Sequence, residues 1–136
     1  MLILCRGCPG SGKSTWAKNL VTTYIHLEAD MYFIDNLGNY KFDGSKIRYA
    51  HQWCMDTTRI FLNQGKHVVV SNTFTTLKEM KFYIDYAIEN NIPFWVYRMT
   101  NNFRSVHDIP EEVMKKMADR FEDYPGEVKL DSESFK

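Results

Sequence analysis

An apolar run, Met1-Leu2-Ile3-Leu4-Cys5, leads through Arg6 into Gly7-Cys8-Pro9-Gly10-Ser11-Gly12-Lys13-Ser14-Thr15. Few folds accept this order, which asks for a buried strand, a glycine-rich turn and a helix opening at the lysine. Gly7, Gly10 and Gly12 let backbone N–H groups converge on an anion without Cβ clashes. Lys13 supplies a point charge for outer phosphates, and the Ser14 hydroxyl is a ligand for Mg²⁺. The helix start adds free donors and a partial positive charge. The nine residues from Gly7 to Thr15 are therefore expected to line a nucleoside triphosphate site, with ATP and Mg²⁺ as cofactors.

The chain has 136 residues, enough for one domain and one core at 44% hydrophobic content. Its 17 basic and 17 acidic residues cancel, so no global basic field recruits nucleic acid. A local field is expected near the loop, because Arg6, Lys13 and Lys18 meet no acid within the first twenty positions. The acidic residues after Glu122 read as a solvated end, so the division is a domain over 1–123 and a short tail over 124–136. Cys5, Cys8 and Cys54 read as reduced thiols. No secretion signal or membrane-spanning run is apparent, and a cytoplasmic location is expected.

Strands and helices alternate along the chain. Leu2 to Arg6 reads as a strand, Lys13 to Thr23 as a helix and Ile25 to Glu28 as a short strand. A polar, aromatic-rich segment follows from Tyr32 to Gly44. Ser45 is expected to cap a helix running to Gln64, closed by Gly65. The β-branched run His67 to Ser71 suits a central parallel strand covered on both faces. Thr75 or Thr76 begins a helix with Leu77, Met80, Ile84, Ala87 and Ile88 on one stripe, ending at Asn90-Asn91. Ile92 to Met99 reads as a fourth strand, and Pro110 opens a last helix over Glu111 to Phe121. Trp16, Trp53 and Trp95 read as packing residues. The fold class is α/β: a parallel sheet flanked by helices, with a lid before the last helix.

In such sheets ligands sit beyond the C-terminal ends of the strands. After the second strand, Asp30 is placed to accept the proton of an attacking hydroxyl. After the third, Asn72 and Thr73 stand where many phosphate-loop hydrolases have an Asp holding the metal. They are candidate acceptor contacts, with helix capping the other reading of Thr73. After the fourth, the polar stretch 100–110 is where a mobile lid would lie. Arg104 there suits charge neutralisation on a transferring phosphoryl group, with Arg98 and Arg120 behind it and His107 as a further polar contact.

Several of these residues carry a resemblance. Gly7 to Ala17 is similar to the loop of phage polynucleotide 5′-kinases, and Asp30-Met31-Tyr32 to the segment with their general base. The chain also resembles the small AAA-type phosphate-loop ATPases and kinases in which that domain stands alone. The shared pattern comprises Tyr40-Lys41-Phe42-Asp43, Ala50-His51-Gln52-Trp53, Asn72-Thr73, Arg104-Ser105-Val106-His107-Asp108-Ile109-Pro110 and Arg120-Phe121-Glu122. The resemblance implies a P-loop kinase with Lys13, Ser14 and Arg120 on ATP and Mg²⁺, Asp30 as base and Arg104 in the lid.

Phe33 stands where those kinases carry an arginine for the acceptor's phosphate, and Asn72 where they carry an Asp. Both changes weaken recognition of a charged polynucleotide end. Tyr32, Phe33, Tyr40 and Phe42 either stack a base or simply pack. The expected activity is transfer of the γ-phosphate of ATP to a hydroxyl, with a polynucleotide 5′ end the leading acceptor. A nucleoside, nucleotide or other small hydroxyl compound is the first rival. An ATP-binding regulatory module with little turnover is the second.

Overall fold

The computed structural model describes residues 1–8, 11–20, 23–100 and 111–130. Five strands form one parallel sheet: β1 (Leu2–Arg6), β2 (Ile25–Leu27), β3 (Val68–Asn72), β4 (Phe94–Met99) and β5 (Val128–Leu130). Their order is β2-β3-β1-β4-β5, so β1 lies at the centre with β3 and β4 beside it. Leu2 pairs with Val68 on one side and Phe94 on the other. The α-helices are α1 (Lys13–Lys18), α2 (Ile47–Asn63), α3 (Leu77–Glu89) and α4 (Glu111–Arg120). Among the described residues no helix is long and apolar enough to cross a membrane.

Alternation along β1 explains the two layers, since successive side chains of a strand point to opposite faces. Leu2 and Leu4 join Val68, Val70 and Val96 in a core that also takes Ala50, Cys54 and Leu62 of α2 and Met80, Tyr83 and Ala87 of α3. Ile3 and Cys5 join Val69 and Met99 on the other face, where Ala17 of α1 packs. Trp16 lies against this second cluster and Tyr97, whereas Trp95, expected to pack, is half exposed.

Local chemistry sets the helix ends. Asp43, not Ser45, caps the turn entering α2: its carboxylate accepts from the Ser45 N–H at 3.0 Å and hydroxyl at 2.6 Å. Gly65 follows α2 at φ 77°, a left-handed conformation that glycine adopts without strain. Thr76 precedes α3, and the Glu79 carboxylate accepts its N–H at 2.8 Å. Thr76, and not Thr73, is therefore the cap of α3.

The expected solvated tail is partly structured. Val128–Leu130 pairs with Tyr97, Arg98 and Met99 as the fifth strand. Its approach is fixed by Arg6, which is wholly buried and donates to the Glu127 carboxylate at 2.9 Å. The Arg6 guanidinium also donates to the Phe74 carbonyl at 2.7 and 3.0 Å and lies over the Phe121 ring. Arg98 lies over the same ring and pairs with Asp123 and Glu127. The local positive field expected around the loop thus loses Arg6, whose charge is matched inside the fold.

Candidate active site

The glycine loop leaves the C-terminal end of β1 and is fixed to its neighbour β3: the Gly7 N–H donates to the Thr73 carbonyl at 3.2 Å. A side chain at Gly7 would run into the Ser11 hydroxyl and approach Met99 Cβ to 3.1 Å. Gly12 sits at φ 93° immediately before α1, where an L side chain would be strained. Ser11 is buried, Cys8 and Ser14 are half-buried and Thr15 is exposed. Pro9 and Gly10 lie outside the described residues, as do Arg104 and His107. Cys5, Cys8 and Cys54 are free thiols, and burial pushes Cys5 up to about 12.

Burial lowers the Lys13 ammonium from its ordinary value, against the pull of Cys5, Glu28 and Asp30. Asp30 and Glu28 thus both sit within electrostatic reach of Lys13. Their environments differ sharply. Asp30 is exposed in a 3₁₀ turn over Ala29–Phe33. Glu28 is half-buried and accepts a hydrogen bond from the Ser14 hydroxyl and another from Ser71 Oγ at 2.8 Å. His26 Nε2 lies 3.1 Å from Glu28 Oε1 and 2.7 Å from Ser71 Oγ. The single Ser71 proton goes to Glu28, so His26 Nε2 carries the proton and donates. Burial alone would raise the Glu28 carboxyl, but donors from His26, Ser14 and Ser71 outweigh it and hold it at about 2.

This group went unread in the sequence, although a signal existed. His26 and Glu28 are two apart along β2 and its exit, so they share one face. The β2–β3 register, Leu27 opposite Val70, carries Glu28 beside Ser71. An ionised carboxylate and a hydroxyl are hard oxygen donors of the kind Mg²⁺ prefers. Among the described residues no cluster of three or more His, Cys, Asp or Glu is assembled to cage a metal alone, so phosphates and water would complete the shell.

Two expected acceptor contacts sit differently from their sequence reading. The Asn72 side chain is buried: its carbonyl oxygen accepts the Ala29 N–H at 2.9 Å and its amide donates to Cys54 Sγ at 3.8 Å. It ties the end of β3 to the turn carrying Asp30, because the missing acid leaves a neutral amide that can satisfy two protein groups. Phe33 is only 7% exposed, since its ring packs among Tyr32, Tyr40 and Phe42. Thr73 is half-buried and Arg120 is exposed at the end of α4.

The sheet order, the loop at the end of central β1 and the lysine opening α1 define a P-loop kinase-type α/β domain. The chain belongs to the AAA domain family (AAA_33), which matches residues 2–124. It is 28% identical over 135 residues to NEDD4-binding protein 2 of Homo sapiens, with 90% of this chain covered. The match spans only 8% of that protein's length. The fold is similar to a chain of the Pnkp1/Rnl/Hen1 RNA repair complex, with TM-score 0.70 and 15% identity over 95% of this chain and 49% of that one. It is similar also to the APS kinase CysC of Mycobacterium tuberculosis in complex with AMPPNP and APS, with TM-score 0.63 and 14% identity over 96% and 87% of the two chains. At such identities the likeness is one of fold.

Proposed function

We propose that this chain transfers the γ-phosphate of ATP to a hydroxyl acceptor, with a polynucleotide 5′-hydroxyl the favoured one. The observation that carries the reading is the convergence at the ends of β1 and β2. Lys13, Ser14, Glu28 and Asp30 stand around one loop, while the end of β3 offers the Ser71 hydroxyl and a buried amide but no acid. A hydrolytic switch needs an acid there to hold its metal. A kinase can take that acid from the neighbouring strand, and Glu28 supports such a role.

The roles follow from chemistry. Loop N–H groups and Lys13 would hold the outer phosphates and offset the charge that develops on them. Ser14 and Glu28 would hold Mg²⁺, which when bound supplies further neutralisation of that charge. Asp30, exposed toward solvent and incoming acceptor, would take the proton as the acceptor oxygen bonds to the γ-phosphorus. The bond from that phosphorus to the β–γ bridging oxygen breaks, and ADP leaves. Arg104 is proposed as the lid residue.

Two results are expected. Asp30→Asn should lower kcat by about 10²–10⁴-fold, the usual worth of a general base, with ATP affinity by calorimetry unchanged. Full activity would remove Asp30 from the mechanism. Glu28→Gln should weaken metal binding about 10–100-fold. Electron spin resonance of Mn²⁺ added to the protein with ADP reads this without turnover, and unaltered Mn²⁺ affinity would remove Glu28 from the metal site.

Neutral net charge favours a second reading, in which the acceptor is a nucleoside, nucleotide or other small hydroxyl compound. Salt separates the two: polynucleotide binding weakens steeply with salt as counterions are released, and binding of a neutral small molecule does not.

A further inference from the structure

Beside the turn that carries Asp30 lies an open cleft of about 680 Å³, within the usual range for small-ligand sites. Tyr32, Phe33 and Phe42 line it together with Lys41 and Lys46. Phe33 is the buried floor. The Phe42 ring meets it at 5.2 Å and 60°, and the Tyr32 ring at 5.5 Å and 88°. Both outer rings stay accessible, Phe42 at 57% and Tyr32 at 38%. Large aromatic rings left open in a cleft are poor packing residues and good stacking surfaces.

The cleft is also held in shape. The Lys41 N–H donates to the Phe33 carbonyl at 2.8 Å, and Ile34 pairs with Tyr40 in an antiparallel bridge. Its two acids are engaged internally. Asp35 accepts the N–H groups of Leu37 and Asn39 at 2.9 Å each and pairs with Lys41, while Asp43 accepts from Ser45. Lys46 forms no ion pair among the described residues. Two lysines and two aspartates leave the lining without net charge, which suits an uncharged hydroxyl terminus better than one already phosphorylated. Asp30 is adjacent: it lies two residues before Tyr32, and its charge acts on Tyr40, whose ring packs on Phe33.

We propose that this cleft receives the terminal base of the acceptor, stacked on Phe42 and Tyr32 with its hydroxyl presented to Asp30. The proposal rests on the kinase reading above and narrows it to acceptors whose hydroxyl is carried by a nucleoside. Phe42 thereby replaces Phe33 as the residue that meets substrate. A polynucleotide 5′ end and a free nucleoside share this chemistry.

The test uses 2-aminopurine, whose fluorescence is quenched by stacking, as the 5′-terminal base of a single-stranded oligonucleotide and as the free riboside. Wild-type protein should quench at least one probe. Phe42→Ala should weaken that binding about 5- to 150-fold, the range for loss of one base–aromatic stack, and Phe42→Tyr should restore it. Quenching of the oligonucleotide alone assigns the cleft to a polynucleotide end, and of the riboside alone to a nucleoside. If neither probe shows quenching that depends on Phe42, the proposal is overturned. Phosphoryl transfer to the same two acceptors is scored separately. Transfer without Phe42-dependent quenching removes the base site and leaves the kinase reading, and quenching without transfer does the reverse.

Discussion

Glu127→Ala should destabilise the protein by about 3–5 kcal/mol, the usual cost of leaving one member of a buried ion pair without its partner. The Arg6 side chain is fully buried and Glu127 is 4% exposed, so water cannot replace the lost carboxylate. Burial already lowers the Arg6 guanidinium, and the hydrogen bond and charge of Glu127 work against that shift. The same carboxylate accepts from Arg98 and from the Tyr124 N–H, each at 3.3 Å, so its loss also frees the approach to β5. Glu127→Gln keeps an acceptor for Arg6 and should cost clearly less. Urea unfolding followed by circular dichroism reads both variants. A loss below about 1 kcal/mol in Glu127→Ala would show that the buried charge is matched some other way.

The effect should reach the site. Arg6 also holds the Phe74 carbonyl, where Phe74 adopts φ 47°, strained for a bulky side chain. The preceding carbonyl, that of Thr73, receives the Gly7 N–H. The buried pair thus includes the residue immediately before Gly7 and braces the segment that Gly7 bonds to, and Glu127→Ala should raise the KM for ATP in whatever fraction stays folded.

Lys13→Ala should lower phosphoryl transfer by about 10²–10³-fold or more, the worth of one preorganised donor aimed at developing charge. Lys13 is half-buried, and burial lowers its ammonium from the ordinary value before any phosphate arrives. Part of its desolvation is therefore met in folding and not at the moment of reaction. Lys13→Arg keeps the charge but brings a planar, longer group into a half-buried position, so it should not restore activity. Steady-state kinetics on the two variants checks this. Activity within a few-fold of wild type in Lys13→Ala would place the phosphates elsewhere.

Much of the architecture was legible in the chain because its signals are local. The apolar run into Gly7 and the three consecutive valines at 68–70 report burial through neighbours a few residues apart, and the stripe along α3 does so at Met80, Ile84 and Ala87 but not at its ends, where Leu77 and Ile88 are exposed. β5 carried no such signal: three residues are too few for a period, and its surroundings are acidic and polar. What places it is the pairing of Arg6 with Glu127, which are 121 positions apart. The site divides in the same way. Its phosphate side is one contiguous motif, whereas the Glu28 group draws on α1, β2 and β3 and emerges only from strand register. Phe33 and Asn72 were legible as departures from a pattern, but not as buried groups, because burial depends on what packs over them.

Transfer to a hydroxyl, and not hydrolysis or mere binding, is the proposed work of the loop. Its most direct test follows radiolabel from the γ-phosphate of ATP into a panel of 5′-hydroxyl oligonucleotides and nucleosides, with wild-type protein and Asp30→Asn side by side. Label should appear on an acceptor with the wild type and fall by at least about 10²-fold with Asp30→Asn, while both proteins bind ATP equally. ATP bound with no label on any acceptor, or equal labelling by the two proteins, would contradict it.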